Sequence, residues 1–196
     1  MLMSWRDRRM AAFCQAGLVE KFVDALVWVF YPAYLYQQGL GLSAIGWVVG
    51  VYGFVWGGSQ FLTGRLSAHI GRLKPIVWGM WLCGGGVILM LLGNGVIWWS
   101  FSAAITGFGM ALLYPNLSAA VVDISNPNWR SSAIGIYRFW RDLGYAIGAL
   151  AFGSIANVTG VLSSGFYLVA IAMFLSGALV MLWGEETHPC LKSEGK

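Results

Sequence analysis

Long apolar stretches separated by short polar breaks run along almost the whole chain. Each stretch approaches the roughly 20 residues that a helix needs to cross a hydrocarbon core about 30 Å thick. The stretches cover residues 14–37, 44–66, 75–92, 96–122, 132–157 and 163–184. The pattern predicts an all-α integral membrane protein with six transmembrane helices, in which residues 1–196 form a single domain in the lipid bilayer.

The breaks between these stretches carry turn-forming or charged residues, and none is long enough for a soluble domain. Their sequences are QQGLGLS, RLSAHIGRLK, GNG, DISNPNWR and NVTGVLSS. Gly, Asn, Pro and Ser mark turns because they tolerate the backbone angles that turns require. Consecutive helices are therefore expected to be close neighbours joined by short loops.

The Lys and Arg residues outside the stretches predict the orientation of the chain. Cytoplasmic loops collect these residues, and external loops lack them. With the N-terminus inside, the three external loops contain no Lys or Arg, and the following cations are cytoplasmic: Arg6, Arg8, Arg9, Arg65, Arg72, Lys74, Arg130, Lys192 and Lys196. We expect both termini to be cytoplasmic and the chain to lie in a bacterial inner membrane.

The composition excludes several classes of function. Hydrophobic residues make up 58% of the chain and charged residues 10%, against roughly 25% charged in soluble domains. The net charge of +4 is not concentrated in a basic, polar run, so no nucleic acid partner is expected. The Cys and His residues lack metal-ligand spacing, and no catalytic constellation is visible. We therefore expect no enzyme activity, no cofactor and no metal.

Helix 1 carries charged residues at membrane depth, where each costs about 2.5 to 3.5 kcal/mol on insertion scales. Glu20 and Asp24 are four residues apart and share a face, and Lys21 is placed to neutralise Asp24. Two interpretations stay open, an ion pair at the membrane interface and a cavity carboxylate that exchanges a proton or binds a cationic solute. Trp28 and Tyr31 on the same helix are candidates for solute contact.

Helix 5 carries a complementary set of charges. Arg138 and Asp142 are four residues apart, which predicts an ion pair, and Arg141 lies beside them. Pairing lowers the cost of placing these groups in the membrane. The set is interpreted either as structural pairing near the cytoplasmic mouth or as direct solute contact.

The loop after helix 2 resembles a signature of the major facilitator superfamily. Gly64, Gly71, Arg72 and Lys74 match its glycines and basic residues, whereas Ala68 replaces its aspartate and His69 its arginine. In the family this loop forms charge contacts that steady the outward-open state, so the missing aspartate places such a latch in doubt here. The alternative is a simple positive-inside loop with a glycine turn.

A second resemblance lies in helix 5. Gly135, Gly144, Gly148 and Gly153 follow the spacing of a glycine-rich signature known from antiporters of the family, with Ala149 at its proline position. Small residues at such spacing let membrane helices approach closely, so they are interpreted as packing residues. A special role in conformational exchange is the alternative.

The stretch WRSSAIGIYRFWRDLGYAIGALAFG and the closing EETHP resemble the C-terminal half of bacterial members. Members usually contain two six-helix halves, each built from two inverted three-helix repeats. The resemblance implies that helices 1 and 4 line a cavity and helices 2 and 5 flank it. Both charged clusters would then face the cavity, together with Tyr114 and Asn116 around Pro115 in helix 4.

The function implied by the resemblance is transport of a small solute by alternating access. Protons are a candidate coupling ion in an efflux reaction, with Asp24 as the preferred coupling residue. A partner is also implied, either a second copy of the chain or a separately encoded six-helix half. The alternative is a truncated or non-transporting membrane subunit.

Overall fold

The computed structural model describes residues 7–188, which form a bundle of six long helices. The first helix, α1, has three consecutive segments, Arg8–Ala25, Leu26–Phe30 and Tyr31–Gln37, of which the middle one is a π-helix. The other helices are α2 (Leu42–Ile70), α3 (Leu73–Leu92), α4 (Val96–Ile124), α5 (Arg130–Thr159) and α6 (Ser163–Trp183). A 3₁₀ turn, Pro127–Trp129, precedes α5.

Hydropathy divides the helices into two groups. By length and composition, α2, α3, α4 and α6 are long and apolar enough to cross a membrane. The remaining helices, α1 and α5, contain the charged residues singled out in the sequence, and they pack against each other. The two least apolar helices of the bundle are therefore neighbours.

The π segment of α1 adjoins Pro32. Proline has no N–H to donate to the carbonyl of residue 28, so the regular hydrogen bonding of α1 is interrupted there. The turn before it is widened, because the N–H of Tyr31 bonds to the carbonyl oxygen of Leu26, five residues earlier. The outer part of α1 thus continues as a short, separate segment.

Close backbone contacts hold α3 and α4 together and bring α2 onto α4. A methyl group added at Gly79 would lie 2.7 Å from the carbonyl oxygen of Gly109. One added at Gly107 would lie 2.6 Å from the carbonyl oxygen of Tyr52 in α2. Glycine is required at these positions because no side chain fits between the two backbones.

Only two of the four helix 5 glycines pack within the bundle. Gly144 lies against the backbone of Leu18, and Gly148 against Phe22, both in α1. At Gly135 and Gly153 an added methyl group would meet no atom within 4 Å. Gly135 and Gly153 lie on an exposed face of α5 and contact no other helix of the described chain, so helix packing by these two glycines stays a prediction.

A carboxylate from the segment after α6 occupies the loop between α2 and α3. Glu186 accepts hydrogen bonds from the backbone N–H groups of Arg72 at 2.8 Å and Leu73 at 3.2 Å, the first donors of α3. It also fills the space beside Gly71, whose φ of +91° ends α2. The helix N-terminus stabilises the negative charge of this carboxylate.

The same loop makes a second ionic contact. Arg72 Nε lies 3.4 Å from Asp123 Oδ2 at the end of α4, and Arg72 Nη1 donates to Ser67 Oγ at 2.9 Å. Although Ala68 replaces the signature aspartate, Glu186 and Asp123 thus bring carboxylates to the loop from other helix ends. Gly64 and Lys74 are exposed and take no part in these contacts.

We predict that Gly144→Ala destabilises the protein by about 1 to 3 kcal/mol. The added methyl group would overlap the Leu18 carbonyl oxygen and lie 2.8 Å from its carbon, which forces α1 and α5 apart. Gly153→Ala is the matched control on the same helix and should be neutral or stabilising, because that position is open. Thermal unfolding in mild detergent measures both, and equal effects would contradict the packing role of Gly144.

We predict that Glu186→Gln lowers the free energy of unfolding by about 1.5 to 3 kcal/mol, whereas Glu185→Gln has little effect. Glu185 makes one exposed ion pair, with Arg9 at 3.3 Å. A stability loss of the same size in both variants would contradict the capping role of Glu186.

The pH dependence provides a second check on Glu186. Burial raises the pKa of this carboxyl group, but the backbone N–H groups of residues 72, 73, 187 and 188 outweigh that effect, so its pKa lies below the ordinary 4.5. The stabilisation is therefore complete above about pH 4.5 and is lost as the pH falls through the lowered pKa. Glu186→Gln should remove this part of the acid dependence of unfolding.

Candidate functional site

A buried carboxylate without a hydrogen-bond donor lies on α1. The Glu20 side chain is 0% exposed, and neither of its carboxylate oxygens has a hydrogen-bond partner among residues 7–188. The nearest cation is Lys21, whose Nζ is 4.0 Å from Glu20 Oε1. A carboxylate in these surroundings is costly unless a cation or a proton neutralises its charge.

The second carboxylate of α1 is fully compensated. Asp24 Oδ2 forms a close ion pair with the Lys21 ammonium, the contact that the sequence predicted. Its other oxygen, Oδ1, accepts a hydrogen bond of 3.0 Å from the hydroxyl of Tyr52 in α2. Lys21 is thus shared by two carboxylates, close to Asp24 and farther from Glu20.

Tyr114 connects the cations of α1 and α5. Its ring in α4 lies 5.9 Å from Lys21 Nζ and 5.3 Å from Arg141 Cζ, measured to the ring centroid. Both distances are within the range of cation–π attraction. One aromatic ring of α4 therefore holds positive charges from two other helices near the buried carboxylates.

The ion pair of α5 differs from the predicted one. Asp142 pairs with Arg141, at 3.1 Å between Oδ1 and Nη2, and not with Arg138. The Asp142 side chain is 66% exposed, whereas that of Arg141 is 14% exposed and extends towards Tyr114. Arg138 is exposed and lies outside the buried cluster.

A row of aromatic side chains extends from the charged cluster. Trp28 contacts Tyr52 at 6.1 Å, Tyr52 contacts Trp56 at 6.0 Å, and Trp56 contacts Tyr114 at 6.0 Å between ring centroids. Trp28 is half exposed, so the row reaches the surface of the chain. Sequence reasoning missed Tyr52 and Trp56, although their spacing of four residues places them on one face of α2.

Two predicted site residues lie elsewhere. Tyr31 is fully buried and stacks on Phe166 of α6, with a centroid distance of 5.5 Å and an interplanar angle of 2°. Asn116 is buried between α4 and α2, where it contacts Ser67 Oγ and donates to the Leu112 carbonyl oxygen at 2.7 Å. Both residues therefore lie in the core of the described chain, and their contact with a solute stays a prediction.

The described residues offer no arrangement for a metal ion. Between residues 7 and 188 there is no group of three His, Cys, Asp or Glu side chains that could hold one. Cys14 and Cys83 are free thiols buried in the bundle. The ionisable groups at the cluster are two carboxylates, an ammonium group and a guanidinium group.

Sequence comparison places the chain in a family. The model of the family described as Major Facilitator Superfamily matches residues 14–196. The chain belongs to the Major Facilitator Superfamily. It is 28% identical over 158 residues to Multidrug resistance protein 2 of Bacillus subtilis (strain 168), a match covering 79% of this chain and 38% of that protein. It is also 25% identical to an uncharacterized MFS-type transporter of Salmonella typhimurium (strain LT2), over 69% of this chain and 34% of that protein.

Solved structures agree with this membership. The chain is similar to a crystal structure of peptide transporter POT in complex with sulfate, with a TM-score of 0.78 and 23% identity over 94% of this chain and 42% of that one. A POT family transporter in complex with 5-aminolevulinic acid gives a TM-score of 0.78 at 20% identity, over 88% and 37% of the chains. The fold is therefore that of a six-helix half of such transporters, and the chain is an integral, multi-pass membrane protein. It spans less than half of the relatives it matches.

We predict that Lys21→Met destabilises the protein by about 3 kcal/mol, because it leaves two buried carboxylates without their shared cation. Arg138→Met is the matched control, since it removes an exposed cation outside the cluster, and its effect should stay within about 0.5 kcal/mol. Thermal unfolding in liposomes or mild detergent measures the difference. Equal stability of the two variants would show that Lys21 does not balance these charges.

Proposed function

We propose that this chain forms one six-helix half of a secondary transporter that moves a small solute by alternating access. The observation that carries the proposal is the buried charged cluster around Glu20, Lys21 and Asp24. Charged groups inside membrane helices are costly, and where they occur they mark solute paths or proton relays. Apolar residues of similar volume would often stabilise a buried interface as well, so stability alone gives little reason for this cluster.

Within the cluster, we assign proton exchange to Glu20 in preference to Asp24. Asp24 already has an ammonium partner and a hydroxyl donor, whereas Glu20 has neither within hydrogen-bonding distance. A proton on Glu20 leaves Lys21 with Asp24. Loss of that proton creates a second carboxylate that competes for the same ammonium group. Protonation of Glu20 therefore changes which carboxylate Lys21 pairs with.

The aromatic row supports an organic solute with apolar or cationic character. Trp28, Trp56 and Tyr114 belong to the aromatic row that extends from the charged cluster, and aromatic faces attract organic cations and apolar groups. The name of the relative from Bacillus subtilis, Multidrug resistance protein 2, refers to drugs and supports an organic solute. We propose efflux across a bacterial inner membrane, with both termini on the cytoplasmic side.

A second six-helix unit is part of the proposal. Only five residues of α2 and four of α5 are buried, so both helices present wide uncovered faces. On α2 the glycines 46, 50, 53 and 57 would accommodate a close neighbour, since added methyl groups there would meet no atom within 4 Å. The second unit is a copy of this chain, a separate chain or a further part of a longer polypeptide.

Flux measurements in liposomes test the function. With the fluorescent lipophilic cation ethidium as the probe and an imposed pH gradient, we expect proton-driven ethidium movement by the full chain reconstituted with its second unit. Glu20→Gln should reduce this movement to the level of empty liposomes, because the amide cannot bind and release a proton. Asp24→Asn should impair ethidium movement while leaving proton binding at Glu20 intact.

The control for this experiment is Glu185→Gln, which removes an exposed carboxylate after α6, away from the cluster, and should retain proton-driven flux. Thermal unfolding shows that each variant is folded. Unchanged flux in Glu20→Gln would remove this residue from the coupling mechanism. A chain that stays monomeric and inactive under all conditions would favour a non-transporting membrane subunit.

A further inference from the structure

A buried tyrosine hydroxyl of α5 lies near the candidate proton site. The Tyr137 side chain is 1% exposed, and its hydroxyl makes no hydrogen bond of standard geometry within residues 7–188. Its ring occupies the space beside Gly17 of α1, where an added methyl group would lie 2.5 Å from Cε2 and 3.2 Å from the hydroxyl oxygen. The absence of a side chain at Gly17 therefore lets the phenol enter the α1–α5 interface.

The helical spacing places Glu20 near this hydroxyl. Gly17 and Glu20 are three residues apart on α1, so they lie on the same face, one turn from each other. The electrostatic surroundings of the Tyr137 hydroxyl include Glu20, Arg141 and the Ser118 side chain of α4. Both Glu20 and Tyr137 are buried.

The two groups have complementary hydrogen-bonding capacity. The Glu20 carboxylate accepts hydrogen bonds and has no donor within the described residues, while the Tyr137 hydroxyl is a donor that makes no hydrogen bond of standard geometry. Leaving either group unpaired in the interior is unfavourable, so buried polar groups in folded proteins nearly always find a protein or water partner. A hydrogen bond from Tyr137 to Glu20, direct or through one ordered water, would satisfy both groups at once.

We propose that Tyr137 donates a hydrogen bond to the Glu20 carboxylate, directly or through one water, and is the positioning residue that sets how tightly Glu20 holds its proton. This inference rests on the proposed role of Glu20 in proton exchange. It goes further because it assigns the control of that exchange to a residue of α5, a helix whose other charges point towards Tyr114 or the surface.

Other ionisable groups interact electrostatically with Glu20 and must stay unchanged in a test. They are Lys21 and Asp24 on α1, Tyr52 on α2, Cys83 on α3, and Arg141 and Asp142 on α5. Tyr137→Phe leaves all of these groups in place and removes only its own hydroxyl. Because phenylalanine keeps the ring that fills the space at Gly17, the packing of α1 against α5 is preserved.

Infrared spectroscopy of the full chain in liposomes tests the inference without a transported solute. The carbonyl band of a protonated carboxyl group is titrated with pH and assigned to Glu20 by its disappearance in Glu20→Gln. In Tyr137→Phe the midpoint of this titration should move to higher pH by about one unit, a tenfold change in proton affinity. The midpoint moves upward because the hydrogen bond from the hydroxyl favours the ionised carboxylate, and removing it makes the protonated form relatively more stable.

Tyr31→Phe is the matched control. It also removes a fully buried hydroxyl without a partner, but it lies eleven residues from Glu20, about 16 Å along the helix, and should leave the midpoint unchanged. If Tyr137→Phe does not fold, Gly17→Ala takes its place. The added methyl group displaces the Tyr137 ring, and with it the hydroxyl, so the same upward shift of the midpoint is expected.

Three results would overturn the inference. They are an unchanged midpoint in Tyr137→Phe, an equal shift in Tyr31→Phe, and a titrating band that survives in Glu20→Gln. If the Glu20 midpoint moves upward in Tyr137→Phe but no ethidium flux is observed, the role of Tyr137 is retained and the result counts against the proposed transport function. The two experiments thus distinguish failure of one proposal from failure of the other.

Discussion

The ammonium group of Lys21 lies between two carboxylates inside a helix of a membrane bundle, and the rest of the candidate site depends on this arrangement. Three charges within five residues would be very unfavourable in lipid, so α1 can only occupy the interior of the bundle. The neighbouring helices provide what these charges need. Tyr52 of α2 donates to Asp24, and Tyr114 of α4 faces the cation of Lys21.

Lys21 compensates Asp24 more closely than Glu20. In the proposed mechanism Asp24 stays in this network and Glu20 exchanges the proton. Proton exchange at Glu20 would give the cluster two pairing states, the type of element with which a transporter couples one binding event to another. The contacts of Glu186 and Asp123 with the loop at Arg72 hold the helix ends together outside the membrane.

The six helices and the charged residues of α1 could be predicted from the sequence, because the thickness of the bilayer fixes helix length and the cost of charge in lipid singles out Glu20, Lys21 and Asp24. Boundaries were less well defined. Helix α1 begins at Arg8 and α2 continues to Ile70, both beyond the predicted apolar stretches, because helices extend past the hydrocarbon into the polar interface.

The contacts between helices could not be predicted in the same way. Spacing alone favoured Arg138 as the partner of Asp142, but the orientation of α5 against α4 brings Arg141 into the cluster. Tyr137 was missed because its importance comes from the space beside Gly17, which belongs to another helix. Single-helix patterns report which residues share a face, whereas helix packing decides what that face meets.

A double-mutant cycle between Lys21 and Asp24 tests the central claim most directly. Unfolding of Lys21→Met, Asp24→Asn and the double variant would be measured in the same membrane-mimetic solvent. If the buried pair organises the site, the double variant will be more stable than the sum of the single effects predicts, with a coupling free energy above about 1 kcal/mol. Additive effects would contradict the claim that the charges of α1 form one interdependent cluster.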